Sequence, residues 1–255
     1  MKMTKIKTFT TLLFFILCGT FADAQTKIIA HRGYWKCEGS AQNSIEALKR
    51  AGEEKVYGSE FDVLITADGI PVVNHDATIN GISIENSPYS QIKDIKLSNG
   101  ETLPTLEEYL QEGKKHKNLK LILEIKSHKK EVNENRAAKE IVDLVKRMKL
   151  RNQVEYISFS KNICRQLRAL DKRSKIAYLN GDMSPIEVKK EGWSGIDYNH
   201  SVLSNNPEWI EQAKNNNVSI NVWTVNSEED LKNFIEKKVD FITTDNPVKA
   251  LELAK

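Results

Sequence analysis

Short apolar segments alternate with helical patterns along most of this 255-residue chain, and that alternation predicts an α/β fold with a parallel sheet. About eight such units follow residue 24, which fits a TIM (β/α)8 barrel, a fold of roughly 250 residues. A doubly wound open sheet is the alternative, but no glycine-rich phosphate loop follows the first strand. We therefore predict one barrel domain over residues 25–255, with a short insertion after a hairpin on the second strand.

The predicted strands are short, apolar and often β-branched, as buried parallel strands are. They cover residues 27–30, 60–65, 71–74, 121–125, 154–159, 176–179, 195–198, 219–224 and 241–243. Asp68-Gly69 is a turn signal, so the chain is expected to fold back between the second and third of these segments as a hairpin. Residues 76–103 have no clear periodicity, and we expect them to form a loop-like insertion on the active-site face.

Helical patterns separate most of these strands. Asn43-Ser44 and Thr105 are predicted N-caps of the segments SIEALKRAGEE and LEEYLQEGKK, because their polar side chains can accept hydrogen bonds from free N–H groups. The other predicted helices cover residues 132–148, 163–170, 185–191, 207–215 and 228–237.

The chain begins with a predicted signal peptide, residues 1–24. Three lysines precede an apolar stretch at residues 9–18, and Ala22-Asp23-Ala24 is a cleavage signal, so the mature chain is expected to begin at Gln25. The apolar stretch is far shorter than the ~20 residues of a spanning helix. We expect an exported protein, periplasmic or secreted. A lipid anchor on Cys18 is the alternative, but the bulky residue before it argues against one.

Charge and cysteine content exclude several classes of protein. The formal charge is only +3, from 38 basic and 35 acidic residues, and no basic run suggests nucleic-acid binding. Near-neutrality does not indicate electrostatic attraction to an anionic membrane. Cys37 and Cys164 follow the first and fifth predicted strands, on opposite sides of a closed barrel. Export to an oxidising compartment makes one disulfide conceivable, but this separation favours two free thiols.

Charged residues interrupt the apolar strands at three places. At the first, His31 and Arg32 end the first strand, where barrel enzymes place catalytic groups. At the second, Glu60 and Asp62 share one strand face because side chains alternate with period two, and such acids are costly to bury without a positive partner. The predicted hairpin places His75 opposite Glu60, to within one residue of register.

The third place is Glu124-Ile125-Lys126, where both charges share one face of an apolar strand. A simple ion pair would explain these two residues alone, but not their convergence with the other groups. Three carboxylates suit a hard cation such as Ca²⁺ or Mg²⁺, whereas zinc takes more nitrogen or sulfur ligands. Arginine and lysine beside such a cation form a phosphate site, and two histidines supply an acid and a base near neutral pH. The sequence thus predicts a metal-assisted phosphodiesterase.

These motifs, in this order, resemble the glycerophosphodiester phosphodiesterase family. The matching residues are His31-Arg32-Gly33, Glu60-x-Asp62, Thr66-x-Asp68-Gly69, His75-Asp76, Pro104-Thr105-Leu106, Glu124-Ile125-Lys126, Trp223-Thr224-Val225-Asn226 and Thr244-Asp245-x-Pro247. The resemblance implies a TIM barrel like that of phosphatidylinositol-specific phospholipases C. The roles that it implies are a divalent cation on Glu60, Asp62 and Glu124, an acid–base pair of His31 and His75, and phosphate binding by Arg32 and Lys126.

Two segments depart from the family's pattern. Ala41-Gln42-Asn43-Ser44 stands where the family has Pro-Glu-Asn-Thr, so the helix cap is kept but a carboxylate is lost. The segment after Asp76 is shorter than is usual in the family. Because that region helps to define the substrate pocket, the identity of the leaving alcohol stays open. Trp223 is expected either in the barrel core or as a substrate-binding wall against the glycerol carbons.

We expect an enzyme that hydrolyses a small molecule, a glycerophosphodiester, to glycerol 3-phosphate and an alcohol. One alternative is a phospholipase D-like or phosphoinositide-cleaving relative, which would need a lipid-accepting rim. The other is a non-catalytic phosphodiester-binding protein, which would not need two histidines. Attack by the neighbouring glycerol hydroxyl, through a cyclic phosphate, and attack by water both fit these residues, and the sequence does not say which histidine is the base. The oligomeric state is likewise open.

Overall fold

Eight parallel strands close into a barrel within residues 25–255, the part of the chain that this computed structural model describes. In chain order the strands are β1 (Lys27–Ala30), β2 (Gly58–Ile65), β3 (Pro71–Val73), β4 (Thr78–Ile79), β5 (Ile82–Ser83), β6 (Lys120–Ile125), β7 (Val154–Ser158), β8 (Ile176–Tyr178), β9 (Gly195–Asn199), β10 (Ser219–Trp223) and β11 (Phe241–Thr244). All except β3, β4 and β5 form the barrel, in chain order, and β1 closes it by pairing with both β2 and β11. The predicted TIM barrel is confirmed.

Helices cover the outside of the barrel. They are α1 (Ile45–Glu53), α2 (Leu106–Gly113), α3 (Glu131–Arg147), α4 (Lys161–Leu170), α5 (Pro185–Lys190), α6 (His200–Asn205), α7 (Glu208–Asn215), α8 (Glu228–Glu236) and α9 (Pro247–Leu253). Ser44 and Thr105 are the predicted N-caps, with side chains that accept from Ala47 N and Glu108 N. Helices α6 and α9 were not predicted, because one or two turns are too short to show a helical period.

The two faces of each barrel strand have different surroundings. Outward side chains such as Phe61, Val63 and Ile65 pack under the helices in the main apolar core. Inward side chains include a smaller apolar cluster of Ile29, Ile122, Ile157 and Leu179. Because the main core lies outside the barrel wall, the interior can hold the charged groups that the sequence places on the inward strand faces.

The hairpin on β2 differs from the prediction by one residue. Strand β3 pairs antiparallel with β2, with Val63 opposite Val73, a register that differs by one residue from the one that would place His75 opposite Glu60. Strand β3 ends at Val73, so His75 follows the paired residues and is free to turn into the pocket. The reason is a three-residue loop: Thr66 N donates to Ile70 O at 3.0 Å, and Gly69 adopts a φ of 90°. A two-residue loop would give the predicted register.

Residues 76–103 have more structure than the expected loop. They contain the β4–β5 hairpin and a 3₁₀ turn at Tyr89–Gln91. Their apolar side chains join the hairpin in a cluster of buried residues, namely Leu64, Val72, Ile84, Ile92 and Leu103. Glu101 then accepts hydrogen bonds from Ile45 N at 2.9 Å and Glu46 N at 3.1 Å, so the insertion also caps α1 beside the site.

The predicted signal peptide, residues 1–24 with Cys18, lies outside the described residues. Within residues 25–255, no helix is both long and apolar enough to cross a membrane. Cys37 and Cys164 are free thiols, as expected.

Candidate active site

A pocket of about 110 Å³ opens at the carboxyl ends of the barrel strands. All eight predicted site residues line it: His31, Arg32, Glu60, Asp62, His75, Glu124, Lys126 and Trp223. They are separated by up to 192 positions in sequence and come together because parallel strands present their carboxyl ends on the same face of the barrel. The lining has a charged part and an apolar part, the latter formed by Ile157, Phe159, Leu179 and Trp223.

Three buried carboxylates form the centre of the charged side. Glu60 and Asp62 lie on β2, and the parallel register with β6 places Glu124 beside Asp62. One carboxylate oxygen from each residue lies within 4.8 Å of the other two. Oxygen donors this close and this buried fit a hard divalent cation, since Ca²⁺ and Mg²⁺ take oxygen ligands at roughly 2.0–2.6 Å. The acid cluster could therefore bind a metal ion, as the sequence predicts.

Burial raises the pKa of all three acids, and neighbouring groups make the outcome different for each. Burial, together with the charges of Asp62 and Glu124, raises the pKa of Glu60 well above its ordinary value. Burial and Asp62 raise the pKa of Glu124 to about 8. Burial also opposes ionisation of Asp62, but Lys126 and a hydrogen bond from Asn43 outweigh it and lower its pKa. Cation binding to this cluster would thus displace protons from Glu60 and Glu124.

Two cationic side chains border the acids. Lys126 Nζ lies 3.1 Å from Asp62 Oδ1 and 2.9 Å from Glu124 Oε1. Burial lowers the Lys126 pKa, but these two carboxylates reverse the effect and raise it. Arg32 Nε lies 3.6 Å from Asp62 Oδ2. Lys126 therefore stays charged, and together with the Arg32 guanidinium it gives a phosphate group two positive partners at the pocket.

The loop between β1 and α1 positions this machinery through backbone groups. Arg32 has a φ of 54°, and its N–H donates to Glu60 Oε2 at 2.8 Å. Asn43 makes two hydrogen bonds with Asp62: its Nδ2 donates to Asp62 Oδ2 at 2.9 Å, and its Oδ1 accepts from the Asp62 N–H at 3.1 Å. Gln42 Oε1, in place of the family's carboxylate, accepts a hydrogen bond from the Arg32 guanidinium at 2.7 Å. Sequence reasoning assigned Asn43 only to the helix cap.

Each histidine uses Nδ1 to contact an aspartate. His31 Nδ1 lies 2.7 Å from Asp245 Oδ1, and His75 Nδ1 lies 2.7 Å from Asp76 Oδ1. This arrangement leaves both Nε2 atoms available, and His31 Nε2 is 4.0 Å from Glu60 Oε2. Burial lowers the His75 pKa, although Asp62 partly opposes that effect. A base and an acid at one pocket are the requirement for general acid–base catalysis.

Asp245 has two hydrogen-bond partners in addition to His31. Trp35 Nε1 donates to Oδ1 at 3.2 Å, and Asn226 Nδ2 donates to Oδ2 at 2.8 Å. Burial works against ionisation, but the hydrogen bonds, from His31 above all, lower the Asp245 pKa to about 2. Asp245 and Asn226 belong to motifs that the sequence showed without a role, whereas nothing in the sequence pointed to Trp35.

Trp223 lies in the wall of the pocket, one of the two positions expected for it. Its Nε1 donates to the Asp197 carbonyl at 2.9 Å, which fixes the ring. Phe159 packs against it edge to face, with ring centroids 5.7 Å apart. The two rings line the same pocket as the acid cluster and offer an apolar wall to a short carbon chain.

The fold and the pocket together define the class: a TIM-barrel hydrolase that acts on phosphodiesters. The model of the glycerophosphoryl diester phosphodiesterase family matches residues 31–249, and the chain belongs to this family.

Similar proteins carry the same description. A glycerophosphodiester phosphodiesterase of Caldanaerobacter subterraneus subsp. tengcongensis is 30% identical over 247 residues, 91% of this chain and 98% of that protein. The crystal structure of a glycerophosphodiester phosphodiesterase from Parabacteroides distasonis has a TM-score of 0.90 and 48% identity, over 91% of this chain and 98% of that one. An Oleispira antarctica phosphodiesterase, solved with its product sn-glycerol-3-phosphate, has a TM-score of 0.77 over 90% of this chain and 96% of that one; at 22% identity it shows the shared fold.

Proposed function

We propose that this enzyme uses a divalent cation, Ca²⁺ or Mg²⁺, and two histidines to hydrolyse glycerophosphodiesters to glycerol 3-phosphate and an alcohol. The observation that carries the proposal is that both histidines point Nδ1 at an aspartate beside one pocket, which leaves two Nε2 atoms near a buried acid cluster. Glu60, Asp62 and Glu124 would hold the cation, which supplies Lewis-acid stabilisation of phosphate charge when bound.

The remaining groups bind and orient the diester. Arg32 and Lys126 bind the phosphate oxygens, and Trp223 packs against the glycerol carbons. One histidine takes the proton of the attacking hydroxyl as its oxygen bonds to phosphorus. The other histidine protonates the alcohol oxygen as its bond to phosphorus breaks, so the leaving group departs as an alcohol and not as an alkoxide.

The pocket favours a water-soluble diester over a lipid. Its volume of about 110 Å³ suits a glycerol phosphate unit and not an acyl chain. Within residues 25–255, the exposed large hydrophobic side chains are Ile70, Val132 and Ile186, and none of them lines the pocket. The lipid-accepting rim that a phospholipase D-like or phosphoinositide-cleaving enzyme needs is thus not built from these residues.

The test is turnover of glycerophosphocholine by purified residues 25–255, with release of glycerol 3-phosphate measured. We expect activity with Ca²⁺ or Mg²⁺, loss of activity with chelator, and recovery when either cation is returned. His31→Ala and His75→Ala should each lower turnover at least ~10²-fold. No turnover with any cation would refute the activity and favour a binding protein, whereas turnover that resists chelation would refute the metal.

The nucleophile is proposed to be the glycerol hydroxyl next to the phosphate, which would form a cyclic phosphate that water then opens. A hydroxyl already held in the same substrate has a large proximity advantage. An analogue of glycerophosphocholine without that hydroxyl should therefore bind but turn over very slowly. Comparable rates for the two substrates would exclude the cyclic phosphate and would indicate direct attack by water.

Export of the mature chain from Gln25 is also proposed, on the signal-peptide pattern of residues 1–24. Sequencing the N-terminus of exported protein tests it. A lipid-modified Cys18 would support the anchored alternative instead.

A further inference from the structure

We infer that Asp197 forms a hydroxyl-binding subsite at the inner end of the pocket, which selects diesters whose glycerol has a free terminal hydroxyl. The inference rests on the proposed function and deepens it, because it names the part of the substrate that is recognised. This carboxyl group is neither one of the predicted site residues nor a participant in the proposed reaction.

Asp197 is a buried acid whose hydrogen bonding is incomplete. It lies on β9, is 2% exposed and borders the catalytic pocket together with Trp223 and Leu179. Among the described residues, its Oδ1 has no hydrogen-bond partner. A buried carboxyl oxygen without a partner is costly, so such a group in a pocket calls for a ligand that completes it.

The surroundings of Asp197 differ from those of the catalytic acids. Its neighbour Asn221 donates through Nδ2 to Thr243 Oγ1 at 2.9 Å, which leaves a short polar chain across the barrel interior. Burial raises the pKa of Asp197 to about 7, and the Asn221 side chain only partly opposes this rise. No cationic side chain contributes to that shift, in contrast to Asp62 beside Lys126.

A neutral hydrogen-bond donor is the ligand that this environment fits. A phosphate would be repelled by the carboxyl group, and it already has Arg32 and Lys126, which follow β1 and β6, each three strands away from β9 around the barrel. With the phosphate there and the carbon chain against Trp223, the hydroxyl furthest from the phosphate extends towards Asp197. A hydroxyl can donate to the free oxygen, whereas an acyl ester at the same position has no proton to donate.

A second cavity, of about 300 Å³, lies on the other side of Asp197 and defines the competing role. Its lining includes Ser194, which directly precedes β9, and Ser219, the first residue of β10. Glu155 and Lys175 also border it. Water in this cavity would satisfy Asp197 without any substrate contact. The residue would then act on the fold and would affect all substrates equally.

The experiment pairs a deletion in the protein with a deletion in the substrate. Glycerophosphocholine is compared with the phosphocholine ester of propane-1,2-diol, which keeps the hydroxyl next to the phosphate and lacks the terminal one. For the unaltered enzyme we expect kcat/KM to favour the glycerol substrate by at least ~10-fold, the usual loss when a buried polar group is left unpaired. Asp197→Ala should reduce that preference to less than ~3-fold without lowering kcat/KM for the propanediol substrate.

Two further variants separate recognition from a structural role. Asp197→Asn keeps the shape and one acceptor oxygen and should retain part of the preference. Ser219→Ala is the matched control, because Ser219 borders only the second of the two cavities, and it should retain all of the preference. An unchanged preference in Asp197→Ala, or an equal loss on both substrates, would overturn the subsite.

Calorimetric binding of two phosphates distinguishes failure of the subsite from failure of the proposed function. Glycerol 3-phosphate should bind more tightly than propane-1,2-diol 1-phosphate, and Asp197→Ala should remove the difference. If neither diester is cleaved but this difference is found, the proposed function fails and the subsite stands. If diesters are cleaved and the two phosphates bind equally to the unaltered enzyme, only the subsite fails. Absence of both cleavage and binding would overturn both.

Discussion

Burial of Asp197 should make the stability of the barrel depend on pH near neutrality. The ordinary pKa of 3.8 rises to about 7 in the fold because the carboxyl group is desolvated. Between those two pH values the unfolded chain has lost a proton that the folded protein keeps. The stabilising effect of that proton is complete below the unfolded pKa and disappears as pH rises through the folded pKa. At roughly 1.4 kcal/mol per pKa unit, the full effect is at most ~4 kcal/mol.

Asp197→Asn isolates this effect, because the variant keeps the shape of the side chain and cannot ionise. Urea unfolding of both proteins, with chelator present, gives their free energies of unfolding at about pH 5 and about pH 8. We expect the variant to gain stability relative to the unaltered protein as pH rises, by up to ~3 kcal/mol over this range, because only the interval from pH 5 to the folded pKa of about 7 contributes. The other acids titrate in both proteins, so their contributions cancel in the comparison.

The control is Asp143→Asn, which alters an exposed acid on α3 paired with Lys139 at 2.8 Å. Its stability difference from the unaltered protein should stay nearly constant over the same pH range, since an exposed ion pair is worth little. Parallel pH profiles for Asp197→Asn and the unaltered protein would refute the reasoning, because they would mean that Asp197 ionises as easily in the fold as in the unfolded chain.

Three further perturbations test the site and its support. Gly33→Ala should lower the free energy of unfolding by ~2 kcal/mol or more, since φ is 77° and the new methyl would lie 2.6 Å from the Ala47 methyl carbon on α1. The control is Gly39→Ala, where φ is 78° but the new methyl would have no neighbour within 4 Å, and it should lose only ~1 kcal/mol. Urea unfolding measures both. Asp245→Asn should lower kcat at least ~10²-fold with little change in KM, because the carboxylate that orients His31 is gone; a rate near normal would exclude this positioning role. Glu124→Gln should weaken Ca²⁺ or Mg²⁺ binding at least ~10-fold and reduce the rise in Tm on cation addition, and an undiminished rise would place the ion elsewhere.

The predicted site was recoverable from the sequence because strand geometry is simple. Period-two alternation puts Glu60 and Asp62 on one face, and the barrel brings the carboxyl ends of all strands together. A charge in an otherwise apolar strand, as at Glu124, is then a strong signal. His31 directly follows β1, where barrel enzymes place catalytic groups, and the order of the motifs along the chain indicates the family.

Other parts of the site depend on contacts that have no local signature. The hairpin register turned on whether the loop has two or three residues, and one hydrogen-bonded pair between Thr66 and Ile70 decided it. Asp245, the partner of His31, directly follows β11 and lies 214 positions away in sequence. Trp35 reaches the same aspartate from a loop without periodicity.

The sequence by itself determined the parallel barrel, the inward position of the three acids and the strand ends that carry the histidines, because alternation and strand ends are properties of the local backbone. Only the tertiary structure decided which aspartate contacts His31, that Gln42 accepts a hydrogen bond from Arg32, and that Asp197 borders the pocket. These depend on distances between residues far apart in the chain. In the sequence Asp197 is one acid in a short segment, and its meaning comes from burial inside the closed barrel, where water no longer satisfies its charge.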